Sequence, residues 1–146
     1  MAITESQKQL VVSSFKKVES ISEVAADIFY KKLFEYDPSL KALFKSDIKS
    51  QGKKLMAALK LAVGSLNDLD TLVPVLQDMA IKHVEYGVKA EDYTPVGNAL
   101  LYALSQGLGN EFNHQLRTAW ADTYKVIATV MRQAAYPNIN PDTYTP

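Results

Sequence analysis

This sequence predicts an all-α domain, and three observations carry that reading. Apolar residues recur every three or four positions along almost the whole chain, the spacing of one helix face. No stretch sustains the apolar-polar alternation of a half-buried strand, and none carries an Asn-Gly hairpin turn. The 146 residues, 47% of them hydrophobic, suffice for one core that buries roughly two-thirds of the unfolded chain's surface.

The elements follow in order. Thr4 and Gln7 form a capping-box pattern ahead of Leu10, Val11, Ser14, Phe15 and Val18, which define a first amphipathic helix. Ser20 or Ser22 is placed to cap the second, which runs to about Tyr36 and aligns Ala26, Phe29, Tyr30 and Leu33. Asp37-Pro38 starts a short helix, with proline at its tolerated first position, that ends near Phe44. Leu55, Ala58, Leu59, Ala62 and Leu66 mark the next helix; Gln51 lies one turn upstream on the same stripe, beside Gly52. Asp70 or Thr71 opens a helix with Leu72, Val75, Leu76, Met79 and His83 on a common face, Pro74 near its first turn and Gly87 closing it. Tyr93 to Leu108 reads as a helix stopped by Gly107 and Gly109. The last and longest begins near Asn110 or Glu111 and uses Leu116, Trp120, Tyr124, Ile127, Val130, Met131 and Ala134. Pro137, Pro141 and Pro146 forbid helix beyond Tyr136. Residues 1–135 are therefore expected to form one domain and residues 136–146 a proline-rich, extended or mobile tail.

Sixteen basic and sixteen acidic residues cancel, so no general attraction to a polyanion exists and nucleic-acid binding has little support. No apolar run approaches the ~18 residues of a membrane span. Without cysteine there is no disulfide framework, thiolate metal site or cysteine nucleophile, and Met1-Ala2-Ile3-Thr4 lacks the regions of a signal peptide. A cytoplasmic location is expected.

Chemistry rests on few residues. Of the two histidines, His114 falls off the apolar stripe of its helix and should face water, whereas His83 is in line with Leu72, Leu76 and Met79. A histidine so placed is either a satisfied core residue or a ligand. Zinc or di-iron chemistry needs several converging ligands, and neither a pair of Glu-x-x-His motifs nor a His-Glu-x-x-His occurs. Haem needs only one imidazole, because the porphyrin supplies four of the iron's ligands. The remaining parts of such a site are an apolar slot, a flat side chain against the ring and one or two polar groups at the open position. Phe44, at a corner after the short helix, could pack on such a ring or merely in the core. Tyr30 and Gln51 each put a hydrogen-bonding group on an apolar face, where an unsatisfied one costs ~1 to 3 kcal/mol. They meet either each other, a backbone carbonyl or a ligand.

Together these residues resemble a known family. Phe29-Tyr30-Lys31-Lys32-Leu33-Phe34, Asp37-Pro38, Leu43-Phe44, Gln51 with Leu55, Lys82-His83 with Tyr86-Gly87-Val88, and Tyr93 with Val96-Gly97 are similar to bacterial single-domain globins of the flavohaemoglobin-like and neuroglobin-like kind. Lys54-Leu55-Met56 and Leu76-Gln77-Asp78 are in keeping, and the likeness covers roughly residues 4 to 135.

The resemblance implies a three-over-three α-helical sandwich around haem b. It makes His83 the proximal ligand and puts Tyr30, Gln51 and Leu55 in the distal pocket, with Phe44, Val88, Tyr93 and Val96 also against the cofactor. Lys54 and Lys82 are its candidates for the haem propionates, and Ala26 with Gly52 the small pair where the second helix crosses the distal one. Gln51 stands where many animal globins have histidine, so a bis-histidine iron is not implied. In flavohaemoglobin-like proteins a glutamate near the end of the last helix joins a tyrosine around the proximal histidine; Tyr93 fits the tyrosine, but Ala135 stands where the acid would be. The function implied is reversible binding of dioxygen or another diatomic gas, for storage, delivery or scavenging. The alternative is conversion of nitric oxide to nitrate with a separate reductase. A haem-free signalling module is the third class, against which His83 and Phe44 argue.

Overall fold

Helices form where the 3.6-residue pattern predicts them, because each carries one face of Leu, Val, Ala and aromatic side chains that only a partner can remove from water. The computed structural model describes residues 3–43, 48–85 and 92–135. Within them lie α1 (Glu5–Glu19), α2 (Ser22–Tyr36), a 3₁₀ turn (Pro38–Leu43), α3 (Ile48–Gly64), α4 (Leu69–Glu85), α5 (Tyr93–Leu108), a second 3₁₀ turn (Gly109–Glu111) and α6 (His114–Ala135). The boundaries of α5 are those the pattern predicts. Phe44, Gly87 and Val88, and the whole segment 136–146, lie outside the described residues.

The Thr4 capping box is present in full: the Gln7 amide donates to Thr4 Oγ1 at 3.1 Å, and the Thr4 amide donates to Gln7 Oε1 at 3.1 Å. Three other helix starts differ from expectation. Neither Ser20 nor Ser22 caps α2; its N-cap is Ile21, with no side-chain bond, and the Ser20 hydroxyl instead donates to the Lys17 carbonyl at 2.7 Å. α4 starts at Leu69 rather than at Asp70 or Thr71, because Asp68 supplies the capping carboxylate: Oδ1 accepts from the Thr71 amide at 3.4 Å and Oδ2 from the Thr71 hydroxyl at 2.8 Å. α6 starts at His114 rather than near Asn110 or Glu111. Asn113 Oδ1 accepts the Leu116 amide at 2.9 Å, while Gly109 to Glu111 turn in 3₁₀ geometry. Gly109 closes α5 with φ of 58°, the left-handed conformation that suits glycine; Gly107 stays inside the helix. Pro74 is inside α4, in its second turn rather than its first.

α2 against α5 and α4 against α6 are the most extensive pairings, followed by α2 on α3 and α1 on α6, in a three-over-three helical sandwich. α1 is fastened to α6 by Gln7 Nε2 donating to Asp122 Oδ2 at 2.8 Å and by Trp120 Nε1 donating to Ser14 Oγ at 2.9 Å, with Phe15 tilted against the indole. The core runs from Val11, Phe15 and Val18 through Phe29, Leu33, Leu76 and Ala80 to Leu100, Leu104, Trp120 and Ala128.

Candidate functional site

α2 and α3 cross where both helices are smallest. A Cβ added to Gly52 would fall 2.9 Å from the Cβ of Ala26, so the backbones approach as closely as a glycine permits. Tyr30 follows Ala26 by one turn of α2, and Gln51 precedes Gly52 on α3. The crossing therefore sets the separation of the two polar side chains.

Tyr30 is buried, edge-on to Phe29 at 4.9 Å between ring centroids and tilted against Phe34 at 6.1 Å. Burial pushes its phenol up to about 12, so the hydroxyl keeps its proton at neutral pH and can donate. Gln51 is half-buried on the stripe that continues through Leu55 and Leu59 to the buried Ala62 and Leu66.

On α4, His83 is half-buried one turn beyond Met79, whose carbonyl oxygen lies 2.6 Å from His83 Nδ1. Burial lowers the imidazole pKa, and the hydrogen bond to the Met79 carbonyl opposes that in part. The ring is thus neutral at neutral pH. An Nδ1–H donating to a carbonyl puts the lone pair on Nε2, the tautomer that a metal takes.

Tyr30, Leu55, Met79, Tyr93 and Val96 belong to or pack against the same core. Tyr93 is held from α6, with the Tyr124 hydroxyl donating to its main-chain carbonyl at 2.7 Å. Lys54 and Lys82 are exposed to solvent and are not brought into this core. His114 is exposed at the first residue of α6, and Ala135 is half-buried at the last. Phe44 and Val88 lie outside the described residues.

Two buried charges escaped the sequence reading. Asp92, just before Tyr93, is 7% exposed, and Arg132 on α6 is 3% exposed. The signal for Arg132 was the four-residue row Leu116, Trp120, Tyr124 and Ala128, all buried, of which Arg132 is the next member.

The residues present fit haem. Among the described residues no three His, Asp or Glu side chains gather to hold a bare metal ion, whereas haem asks for one neutral imidazole with its second nitrogen oriented. His83 meets that requirement, and the protonated Tyr30 is a donor at neutral pH.

Comparison with known proteins agrees. Residues 27–131 match the model of the Globin family. A flavohemoprotein of Chromobacterium violaceum is 31% identical over 133 residues, covering 88% of this chain and 33% of that protein, so the chain spans about a third of that relative's length. A neuroglobin of Chaenocephalus aceratus is 28% identical, covering 90% of this chain and 91% of the other. Among solved structures, a bacterial globin from Campylobacter jejuni superposes with a TM-score of 0.81 at 28% identity, over 92% of this chain and 97% of that one. An engineered carbene transferase derived from a candidate nitric oxide dioxygenase of Rhodothermus marinus superposes with a TM-score of 0.84 at 26% identity, over 93% and 95%. By the residues matched and by its fold, the chain belongs to the globin family, whose members bind haem and oxygen.

Proposed function

We propose that this chain is a haem b globin that binds dioxygen reversibly, with His83 holding the iron and Tyr30 and Gln51 donating hydrogen bonds to the gas. The observation that carries the reading is the 2.6 Å contact between His83 Nδ1 and the Met79 carbonyl on an apolar helix face. It fixes both the ring's direction and its tautomer. Haem, when bound, supplies an iron with one open position for a diatomic gas. The protein's part is to exclude water, hold His83 neutral and present protonated donors opposite it. Phe44, Leu55, Val88, Tyr93 and Val96 are assigned to the apolar walls, and the exposed Lys54 and Lys82 to the haem carboxylates at the solvent edge.

A role in oxygen storage, delivery or scavenging in the cytoplasm suits this pocket; among the described residues no helix is long and apolar enough to cross a membrane. A second reading, oxidation of nitric oxide to nitrate with a separate reductase, is favoured by the likeness to the Rhodothermus protein. Substitution of His83 by Gly tests the common premise. The purified wild type should show haem absorption bands, and the variant should lose the ligated spectrum and regain it with added imidazole. An unchanged spectrum without imidazole removes His83 from the iron.

A further inference from the structure

An open cavity of about 130 Å³ lies against the crossing of α2 and α3. The exposed Glu23 and Lys49 line its rim, and the buried Ala26 and Gly52 with the half-buried Met56 line its inner end. That volume is several times the ~30 Å³ share of one liquid water molecule, and no charged side chain lines the inner end, so a neutral diatomic molecule is admitted. Tyr30 stands four residues beyond Ala26 on the same face of α2, about 6 Å along the axis at ~1.5 Å per residue. Gln51 is the neighbour of Gly52 on α3. The cavity and the two polar side chains therefore meet at the crossing, where the contact is one methyl group against a bare Cα.

Little restrains the helices at this end. α2 begins at Ser22 with no side-chain cap bond, so the first turn, which carries Glu23, lacks the anchor that most helix starts have. Lys49 Nζ meets Glu23 Oε1 at 3.2 Å, but the two side chains are 69% and 71% exposed, and water and salt screen such a pair. Gly52 has no side chain to interlock with α2.

We propose that this cavity is the port through which a diatomic gas reaches and leaves Tyr30 and Gln51, opening when α2 and α3 part at Ala26 and Gly52, an inference that rests on the function proposed above. A port acts on the barrier alone. It changes entry and exit by the same factor, leaves the equilibrium constant where it was, and treats oxygen and carbon monoxide alike. A hydrogen bond from Tyr30 does the reverse, holding back the release of oxygen in particular.

Laser photolysis and stopped-flow mixing of the haem-loaded protein test this, with circular dichroism as a check on folding. Met56→Trp fills the cavity and should slow association and release of both gases by roughly tenfold, the effect of overpacking a space that must open. Ala26→Gly removes the methyl group at the contact and should speed all four rates. Gln77→Trp puts the same ring into the cleft between α4 and α6 and should leave them unchanged. The port is overturned if Met56→Trp takes up haem and exchanges both gases at wild-type rates, if Gln77→Trp slows them as much, or if Met56→Trp alters release alone. Should Met56→Trp fail to fold, Ala26→Gly decides, and wild-type rates in that variant overturn the proposal equally. A wild type that takes up no haem, or takes it up and binds no gas, would instead sink the function proposed above.

Discussion

Gly52 of α3 and Ala26 of α2 touch so closely that a methyl group on the glycine would lie 2.9 Å from the alanine's. In an ordinary helix interior Gly→Ala stabilises by roughly 0.5–1 kcal/mol, whereas overpacking a tight crossing costs ~1–3 kcal/mol. The clash should win. Gly52→Ala is expected to lower unfolding stability by about 1–2 kcal/mol, and adding Ala26→Gly to recover much of it. Urea unfolding of the three proteins checks this; a Gly52→Ala variant as stable as wild type would show that the crossing relaxes freely.

Tyr30 bears on gas release. A hydrogen bond to a partly charged acceptor contributes ~1.5–3 kcal/mol, so Tyr30→Phe should speed oxygen release by roughly ten- to a hundredfold, with Gln51→Leu similar or smaller. Carbon monoxide carries less charge and should respond much less. Stopped-flow release of both gases measures this; equal effects would point to access or packing instead.

His83 makes a pH prediction whose sign follows from burial. Its folded pKa lies below the unfolded value of 6.5. As pH falls through 6.5 the unfolded chain takes up a proton that the folded chain still refuses, so stability declines until the folded pKa is passed. Above 6.5 this loss is absent. His83→Gln should therefore flatten the decline in apo-protein stability between about pH 7.5 and 5.5, read as urea midpoints at the two values. Parallel declines in the two proteins would exclude this histidine as the source.

Nitric oxide separates carrier from enzyme. On the proposed reading the oxygenated protein should consume one equivalent rapidly, yielding nitrate and ferric haem, because hydrogen bonds from Tyr30 and Gln51 would retain oxygen long enough for collision. With NADH or NADPH as the only reductant, repeated turnover should be slow, because each cycle leaves ferric iron that a separate electron donor must reduce. Stopped-flow mixing followed by a steady-state assay decides it. Fast multiple turnover without added reductase would make the dioxygenase reading the leading one.

Much of this was legible in the residue pattern. Periodicity located the helices, and α5 begins and ends where Tyr93 and Leu108 suggest, because Gly109 supplies the left-handed closing residue. Helix starts were less legible wherever two polar residues competed to cap. Asn113 lies beyond a 3₁₀ turn that no periodicity announces, and α2 begins without a side-chain cap. His83, Tyr30 and Gln51 stood out as polar groups on apolar faces. Arg132 did not, because a charged residue near a helix end is ordinarily solvated; only its place in a buried four-residue row betrayed it. Burial of a long side chain is settled by what lies across from it, and Thr94 and Tyr93 are 38 and 39 positions away in the chain.

The bonds from Gln7 to Asp122 and from Trp120 to Ser14 join positions 115 and 106 residues apart. During synthesis the first helix is made long before its partner exists, and at ~5–20 residues per second the wait lasts several seconds or more. Through that interval Val11, Phe15 and Val18 lack the surface that finally covers them. Closing so large a loop carries an entropic penalty that local contacts must first offset, which makes docking of α1 on α6 a late event in assembly. The nascent chain is therefore most exposed to self-association, and most in need of a chaperone, before Trp120 has left the ribosome.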